Sequence, residues 1–320
     1  MPRPLLGVLL LLVAALIWGG AFVPQKLTVV ALPPLLATAV RFALAAPLAL
    51  LLAAPRLRRR PVDGGEGGQG QLLVPLALGV ILFLAYTTQT AALALIPVAR
   101  VSLITGLYAV FVPFLAPLFG LPRPKALHWI GAVIAMVGLG LLVAPGGEGA
   151  LAAPLGVGDL LVLVHALFGA LHVLVVSRGG RRIDPFVLNA QQLSVLLMLS
   201  APIALAVDGV AHLATLDVRT LLAFGYLSVL STVVAFTCQI AGQRHASAPA
   251  AAVVMLLETP VGVLGAVVFF NEAMAPMQWI GAGVLFGGVV LSLMAELRRP
   301  RHLGAAPPAT TDDRPRLSDR

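Results

Sequence analysis

The 320-residue chain is 59% hydrophobic and only 11% charged, with a mean hydropathy of +1.00. A soluble globular domain carries about 25% charged residues, so the composition excludes one and points to an all-α polytopic membrane protein. The net charge of +8 comes from basic residues scattered over loops and tail, which excludes a nucleic-acid partner and marks them as topology determinants. A lone Cys238 excludes a disulfide framework and a cysteine metal site.

Apolar runs of about 20 residues suit a hydrocarbon core of ~30 Å. Read against Pro, Gly and charged breaks, they predict ten transmembrane helices. In the first half these are Leu5–Val23, Pro33–Ala54, Leu72–Leu93, Ala99–Phe119 and Leu127–Val143. In the second half they are Val157–Val176, Phe186–Val207, Leu221–Gly242, Ala248–Phe270 and Met277–Ala295. The first run lacks an A-x-A-like cleavage site and reads as a retained helix, not a signal peptide. Residues 145–156 form a connector between units 1–144 and 157–297, and 298–320 a disordered cytoplasmic tail. Arg56–Gln71, basic then Gly-rich, also reads as disordered.

With the N-terminus inside, seventeen Arg and Lys residues fall on the inner side, and only Lys26, Arg100 and Arg219 on the outer. That bias places both termini in the cytoplasm.

The chain also repeats itself. Trp129-Ile130-Gly131-Ala132 recurs 150 residues later as Trp279-Ile280-Gly281-Ala282. At the same shift Thr87, Gln89 and Ala91 become Thr237, Gln239 and Ala241, Tyr86 meets Phe236, and Gly19 meets Gly169. Five spans per copy is an odd number, so the second copy enters the membrane from the opposite face. The expectation is two inverted five-helix repeats with a substrate site near the midplane between them.

Polar residues at depth are the candidates for that site. Arg41 lies about 12 Å into the second span at 1.5 Å per residue, where a charge requires a partner or a wet cavity. It serves either the site or a structural clamp on backbone carbonyls. Glu258 lies ten residues into the ninth span, just before Thr259-Pro260. The proline removes a backbone donor and loosens the helix there. Glu258 is either a proton-coupling group, a countercharge for a cationic substrate group, or a static partner of Arg41. The 150-residue shift matches it to Tyr108.

Gln89 and Gln239 either line a path or cross-link helices; Trp18 and Tyr86 either stack on substrate or pack. His165 and His172, seven residues apart on one face, are packing or relay groups, and no third residue is spaced to make a metal site with them. Gln191 and Gln192, at the position that matches Arg41 in the second copy, are shallower candidates. No phosphate-binding loop is present, so no nucleotide or other cofactor is expected.

The opening run Ala15–Val23 with Trp18-Gly19-Gly20, and Arg41-Phe42 ending the next segment, resemble the start of an EamA domain, the repeat unit of the drug/metabolite transporter superfamily. Phe269-Phe270-Asn271-Glu272, then Trp279-Ile280-Gly281-Ala282 and Gly287-Gly288, resemble its end. Gln89 through Thr105-Gly106-Leu107-Tyr108 to Pro113 is similar to a third-to-fourth-span variant. The resemblance covers Leu5 to Ala295 in two copies and implies a bacterial inner-membrane carrier, often an exporter of amino acids or other small metabolites. By position Arg41 matches the family's second-span Arg, and Glu272 its Glu before the last helix, read here as an end-of-helix feature. In the first copy Pro122 replaces that Glu.

The function expected is therefore alternating-access export of a small molecule across the inner membrane. Its partners would be substrate, bilayer and protons, and the carrier is expected to act as a monomer, not an enzyme. The competing class, a membrane-embedded enzyme acting on lipid or isoprenoid substrates, needs clustered acids or metal ligands near an interface; this chain offers isolated groups at mid-depth. A sensor or scaffold would be favoured by a structured soluble domain, which the short polar tail does not supply.

Overall fold

A computed structural model describes residues 3–58, 68–122, 126–143, 155–271 and 275–297. Its described residues contain helices and no strand, as a bilayer requires when backbone groups have only each other to bond. The helices are α1 (Arg3–Ala31), α2 (Pro34–Arg58), α3 (Gly68–Leu95), α4 (Val98–Thr105), α5 (Tyr108–Leu115), α6 (Ala126–Val143) and α7 (Val157–Arg178). They continue with α8 (Pro185–Val207), α9 (Val218–Gly225), a π-helical segment Tyr226–Val234, α10 (Ala235–Gln243), α11 (Ala248–Met255), α12 (Glu258–Phe270) and α13 (Pro276–Leu297).

Among the described residues eight stretches are long and apolar enough to cross a membrane, where ten were expected. The other two expected spans coincide with α6 and α13, whose described apolar stretches, Trp129–Gly138 and Trp279–Leu291, are shorter. The first span runs past the predicted end at Val23 through Pro24 to Ala31. Lys26, expected in an outer loop, is therefore helical, and its Nζ donates to the Leu93 carbonyl at 2.5 Å. The described ends of the stretch Arg56–Gln71, 56–58 and 68–71, are helical where composition suggested disorder, and residues 59–67 lie outside the described residues. Arg56 closes α2, stacks its guanidinium 3.7 Å over Phe186 and pairs with Asp184 at 3.4 Å, while α3 starts at Gly68. Residues 144–154, the tail from 298 and Glu272 lie outside the described residues.

The fourth and ninth spans are broken at matching places. Leu107 N–H bonds the Ile104 carbonyl and Ala109 N–H the Gly106 carbonyl, both three residues back. Leu257 to Val254 and Thr259 to Leu256 repeat the same two bonds 150 residues later. In the second copy the cause is local. Pro260 has no N–H to offer the Leu256 carbonyl, which takes Thr259 instead at 3.0 Å. Left-handed caps close both spans, Gly120 at φ 61° and Asn271 at φ 54°, which gives the Asn of the Phe-Phe-Asn-Glu run a structural reason.

Helices of the two halves interleave: α1 lies on α12 and on the π segment with α10, α3 on α7, α2 on α8, and α6 on α13. Two buried clusters result, one around α1, α4, α7 and α11, the other between α2, α3 and α8. Outward-facing leucines such as Leu51, Leu118 and Leu222 stay exposed, as a lipid-facing surface should.

Candidate functional site

The breaks and the π segment converge on one buried cavity of about 650 Å³, counting its mouth. Trp18, Arg41, Tyr86, Gln89, Tyr108, Gln239 and Glu258 all line it, and so do His165 and His172. Gln191 does not; it is half-buried, with its Oε1 unbonded. The neighbouring Gln192 is the active partner, accepting from His172 Nε2 at 3.0 Å.

Arg41 forms one wall. Its Nε donates to Thr232 Oγ1 at 2.8 Å, and one terminal nitrogen donates to Ser231 Oγ at 2.9 Å and to Tyr86 Oη at 3.4 Å. The guanidinium also sits 4.5 Å over the Tyr86 ring. Every one of these partners is neutral. Both hydroxyls come from the π segment, whose wider turn lets Thr232 donate five residues back to the Leu227 carbonyl and leaves the Ser231 carbonyl for Trp18 Nε1. Ser228 fixes the wall from behind by donating to the Arg41 carbonyl at 3.0 Å. Sequence reading missed this segment, because single hydroxyls in an apolar span carry no period that signals a π turn.

Glu258 and Tyr108 line the same cavity, each the first residue of the half-helix after its break. Their side chains are buried, at 6% exposure each. The Tyr108 hydroxyl is in electrostatic reach of the Glu258 carboxyl yet makes no hydrogen bond of normal geometry. Thr105 Oγ1 and Gln239 Oε1, also buried on the cavity, lack partners too. Among the described residues only Arg56–Asp184 and Arg100–Asp159 form ion pairs, so Arg41 and Glu258 share a cavity without pairing.

An aromatic panel lines the cavity as well. Phe236 meets Trp18, His172 and Tyr86 edge-on at 5.1, 5.5 and 6.1 Å. His172 is tied in an amide chain: Nε2 donates to Gln192 Oε1, and Nδ1 accepts from Gln239 Nε2 at 3.4 Å. Gln192 then donates to Asn189, and Asn189 to the Val233 carbonyl and Thr237. That chain engages both ring nitrogens of His172. His165 differs, since only its Nδ1 is engaged, by the Ala85 carbonyl at 2.9 Å. Gln89 both lines the cavity and cross-links helices, accepting from Gln25 Nε2 at 3.3 Å.

The arrangement is a closed polar site in an apolar bundle, and comparison with known proteins places it. The EamA-like transporter family model matches twice, over residues 5–144 and 156–294. This chain belongs to the EamA-like transporter family. Membership makes it a multi-pass membrane transporter with a small-molecule substrate. An uncharacterized transporter of Archaeoglobus fulgidus is 27% identical over 281 residues, covering 88% of this chain and 83% of its own. The uncharacterized inner membrane transporter YedA of Escherichia coli K12 is 25% identical over 311 residues, covering 95% of each. A solved crystal structure shares the fold of this EamA-like chain, with a TM-score of 0.70 at 18% identity over 91% of the chain and 98% of its own.

Proposed function

We propose that the chain is a secondary transporter that exports amino acids or other small zwitterionic metabolites across the bacterial inner membrane by alternating access. One observation carries the substrate class: a buried guanidinium and a buried carboxyl line one cavity and neutralise neither each other nor any described residue. Holding the Arg41 charge without a counter-ion in a membrane interior is expensive, and a ligand bringing a carboxylate to Arg41 and an ammonium to Glu258 gives each group a charged partner. The unbonded Tyr108, Thr105 and Gln239 atoms supply further contacts, and the Trp18–Phe236 panel suits an apolar body between the charged ends. Export rests on the family resemblance, and proton exchange at Glu258 is the proposed coupling.

The inverted-repeat reading draws support from contacts that swap halves. A β-carbon on Gly138 would stand 2.6 Å from the Gly281 carbonyl oxygen, and one on Gly288 2.6 Å from that of Gly131. Both are the same contact with the copies exchanged, as a two-fold axis in the membrane plane requires. Ten spans, cytoplasmic termini and a monomeric carrier follow on this reading.

A second pair of seams is not equal. A β-carbon on Gly19 in α1 would lie 2.5 Å from Val261 Cβ and 2.7 Å from the Glu258 carbonyl oxygen. The matching seam, Gly169 in α7 against α5, offers nothing nearer than Tyr108 Cβ at 3.7 Å. We read the tight seam as the closed outer gate and the looser one as the inner gate, so the conformer is the inward-facing one.

The test is competition for transport in proteoliposomes loaded with a labelled amino-acid mixture. Zwitterions should compete; the amines and the carboxylates obtained by removing one charged group should not. Equal competition by amines or acids, or full zwitterion flux through Glu258→Gln, would remove the two-charge reading.

A further inference from the structure

A second hollow opens on the flank of the bundle, away from the cavity. It is a groove of about 1040 Å³, counting its open side, between α1, α9 and α12. Gly20, Val23, Pro24 and Leu27 form one side, Val261 to Phe269 of α12 the other, and Leu222, Ala223 and Tyr226 the back. Apart from the Tyr226 hydroxyl, which donates to the Ile17 carbonyl at 2.8 Å, the lining has one polar side chain, Arg219.

Arg219 stands at the rim. It is the second residue of α9, next to Asp217, the helix cap at the membrane boundary. From Arg219 to Tyr226 the groove runs seven residues, about 10 Å, or most of one leaflet of a ~30 Å core. Three cations were assigned to this side of the membrane, and the structure separates them. Lys26 donates to the Leu93 carbonyl and Arg100 is buried against Asp159. Arg219 is exposed and forms no ion pair among the described residues; the nearby Asp217 carboxylate accepts from the Thr220 N–H at 2.8 Å and lies only within electrostatic reach of Arg219.

We propose that this groove is a specific binding site for one anionic phospholipid, with an acyl chain between α1 and α12 and the headgroup phosphate on Arg219. The groove is too apolar for a water-soluble ligand and ends at a cation placed at headgroup depth. An ordinary lipid-facing valley has no such anchor. Leu222, Leu264, Val268 and Phe269 stay more than 45% exposed along it, so the chain enters from the bilayer without moving a helix. Its floor residues Gly20 and Val261 flank the close contact of Gly19 with α12, so the lipid lies against that seam.

The test is native mass spectrometry of the full chain released from nanodiscs of equal phosphatidylglycerol and phosphatidylcholine, read as lipid retained per protein. Wild type should keep one phosphatidylglycerol in roughly fivefold preference, the value of one basic residue at an anionic surface. Arg219→Gln should keep a lipid but lose the preference. Leu264→Trp, which fills the groove from an exposed position, should lose the retained lipid altogether. Equal retention of the two lipids by wild type, an unchanged preference in Arg219→Gln, or full retention in Leu264→Trp would each overturn the proposal. Both substitutions sit on the lipid-facing surface, and a monodisperse elution profile confirms folding separately from lipid retention.

Discussion

Ser102 and Thr259 each donate a hydroxyl to the other's backbone carbonyl, at 3.0 and 3.4 Å, and so bolt the break in the fourth span to the break in the ninth. The Ser102 carbonyl also accepts from the Gly106 N–H at 3.4 Å, and Thr259 is the second residue of α12, so the hydroxyls cross-link the two breaks on top of the helical bonding. Tyr108 and Glu258 are held at the cavity wall by this joint.

The joint sets the first prediction. Ser102→Ala and Thr259→Val should each destabilise the protein by about 0.6–1.7 kcal/mol, the range of interhelical polar bonds in membranes. The double variant should lose less than the sum, since losing either bond loosens the joint that aligns the other. Thermal melts in detergent measure this, and strict additivity would mean the two bonds act independently.

Two ion pairs with similar partners should behave very differently. Arg100 and Asp159 are buried, at 7% and 8% side-chain exposure, with a second bond from an Arg100 terminal nitrogen to Oδ2 at 2.9 Å. Asp159→Asn strands a buried guanidinium and should cost about 3–5 kcal/mol. Arg56 and Asp184 are 41% exposed, and Asp184→Asn, which keeps a capping side chain for α8, should cost no more than about 1 kcal/mol. Chemical denaturation of both variants against wild type decides; equal losses would contradict the burial argument.

Much of this was legible in the sequence, for physical reasons. Apolar runs report spans because a bilayer forbids polar backbone at its centre, and Trp, Gln and Thr at one offset reported the duplication. Arg41 and Glu258 were visible because charge at depth is costly anywhere. Ser231, Thr232 and Gln25 were not. Hydroxyls and one amide become site residues only through a π turn and a neighbouring helix, and neither leaves a spacing in the chain. Asp159 escaped notice for a related reason: three residues into its helix it reads as an ordinary first-turn acid until Arg100 folds over it. Composition also set the ends of α2 and α3 too far apart, because basic and Gly-rich residues read as loop while Arg56 was held by Phe186 and Asp184.

Acid should release one cap. Hydrogen bonding to Thr220 holds the Asp217 carboxyl below its ordinary value, helped by the Arg219 charge nearby. A depressed folded-state value means the stabilisation is present above the unfolded-state value and is lost as pH falls through the folded one. The melting temperature of wild type should therefore exceed that of Asp217→Ala at neutral pH, and the gap should close in acid below about pH 4. A gap independent of pH would show that the charge of the cap is irrelevant.

Arg41 should be irreplaceable by lysine. A guanidinium reaches Thr232 through Nε and Ser231 and Tyr86 through one terminal nitrogen while stacking on the Tyr86 ring. An ammonium cannot hold that fork. Arg41→Lys should lower zwitterion flux in proteoliposomes by about 10–100-fold, the value of one or two lost charge-assisted contacts, with the protein still folded. Wild-type flux through Arg41→Lys would reduce the residue to a point charge.

The unequal seams give a paired prediction. Gly19→Ala forces a β-carbon into the Val261 side chain and the Glu258 carbonyl oxygen at under 2.8 Å, and the Glu258 backbone cannot yield. It should destabilise by about 1–3 kcal/mol, as overpacking does. Gly169→Ala meets nothing within 3.6 Å in this conformer and removes a helix-interior glycine, so its stability should hold or rise by up to about 1 kcal/mol. On the proposed alternating-access reading each seam closes in turn, with α5 approaching α7 at Gly169, so flux should fall in both. Melts and flux together separate the cases. A Gly169→Ala protein that is stable and fully active would show that this seam never tightens, and the gate would have to lie elsewhere.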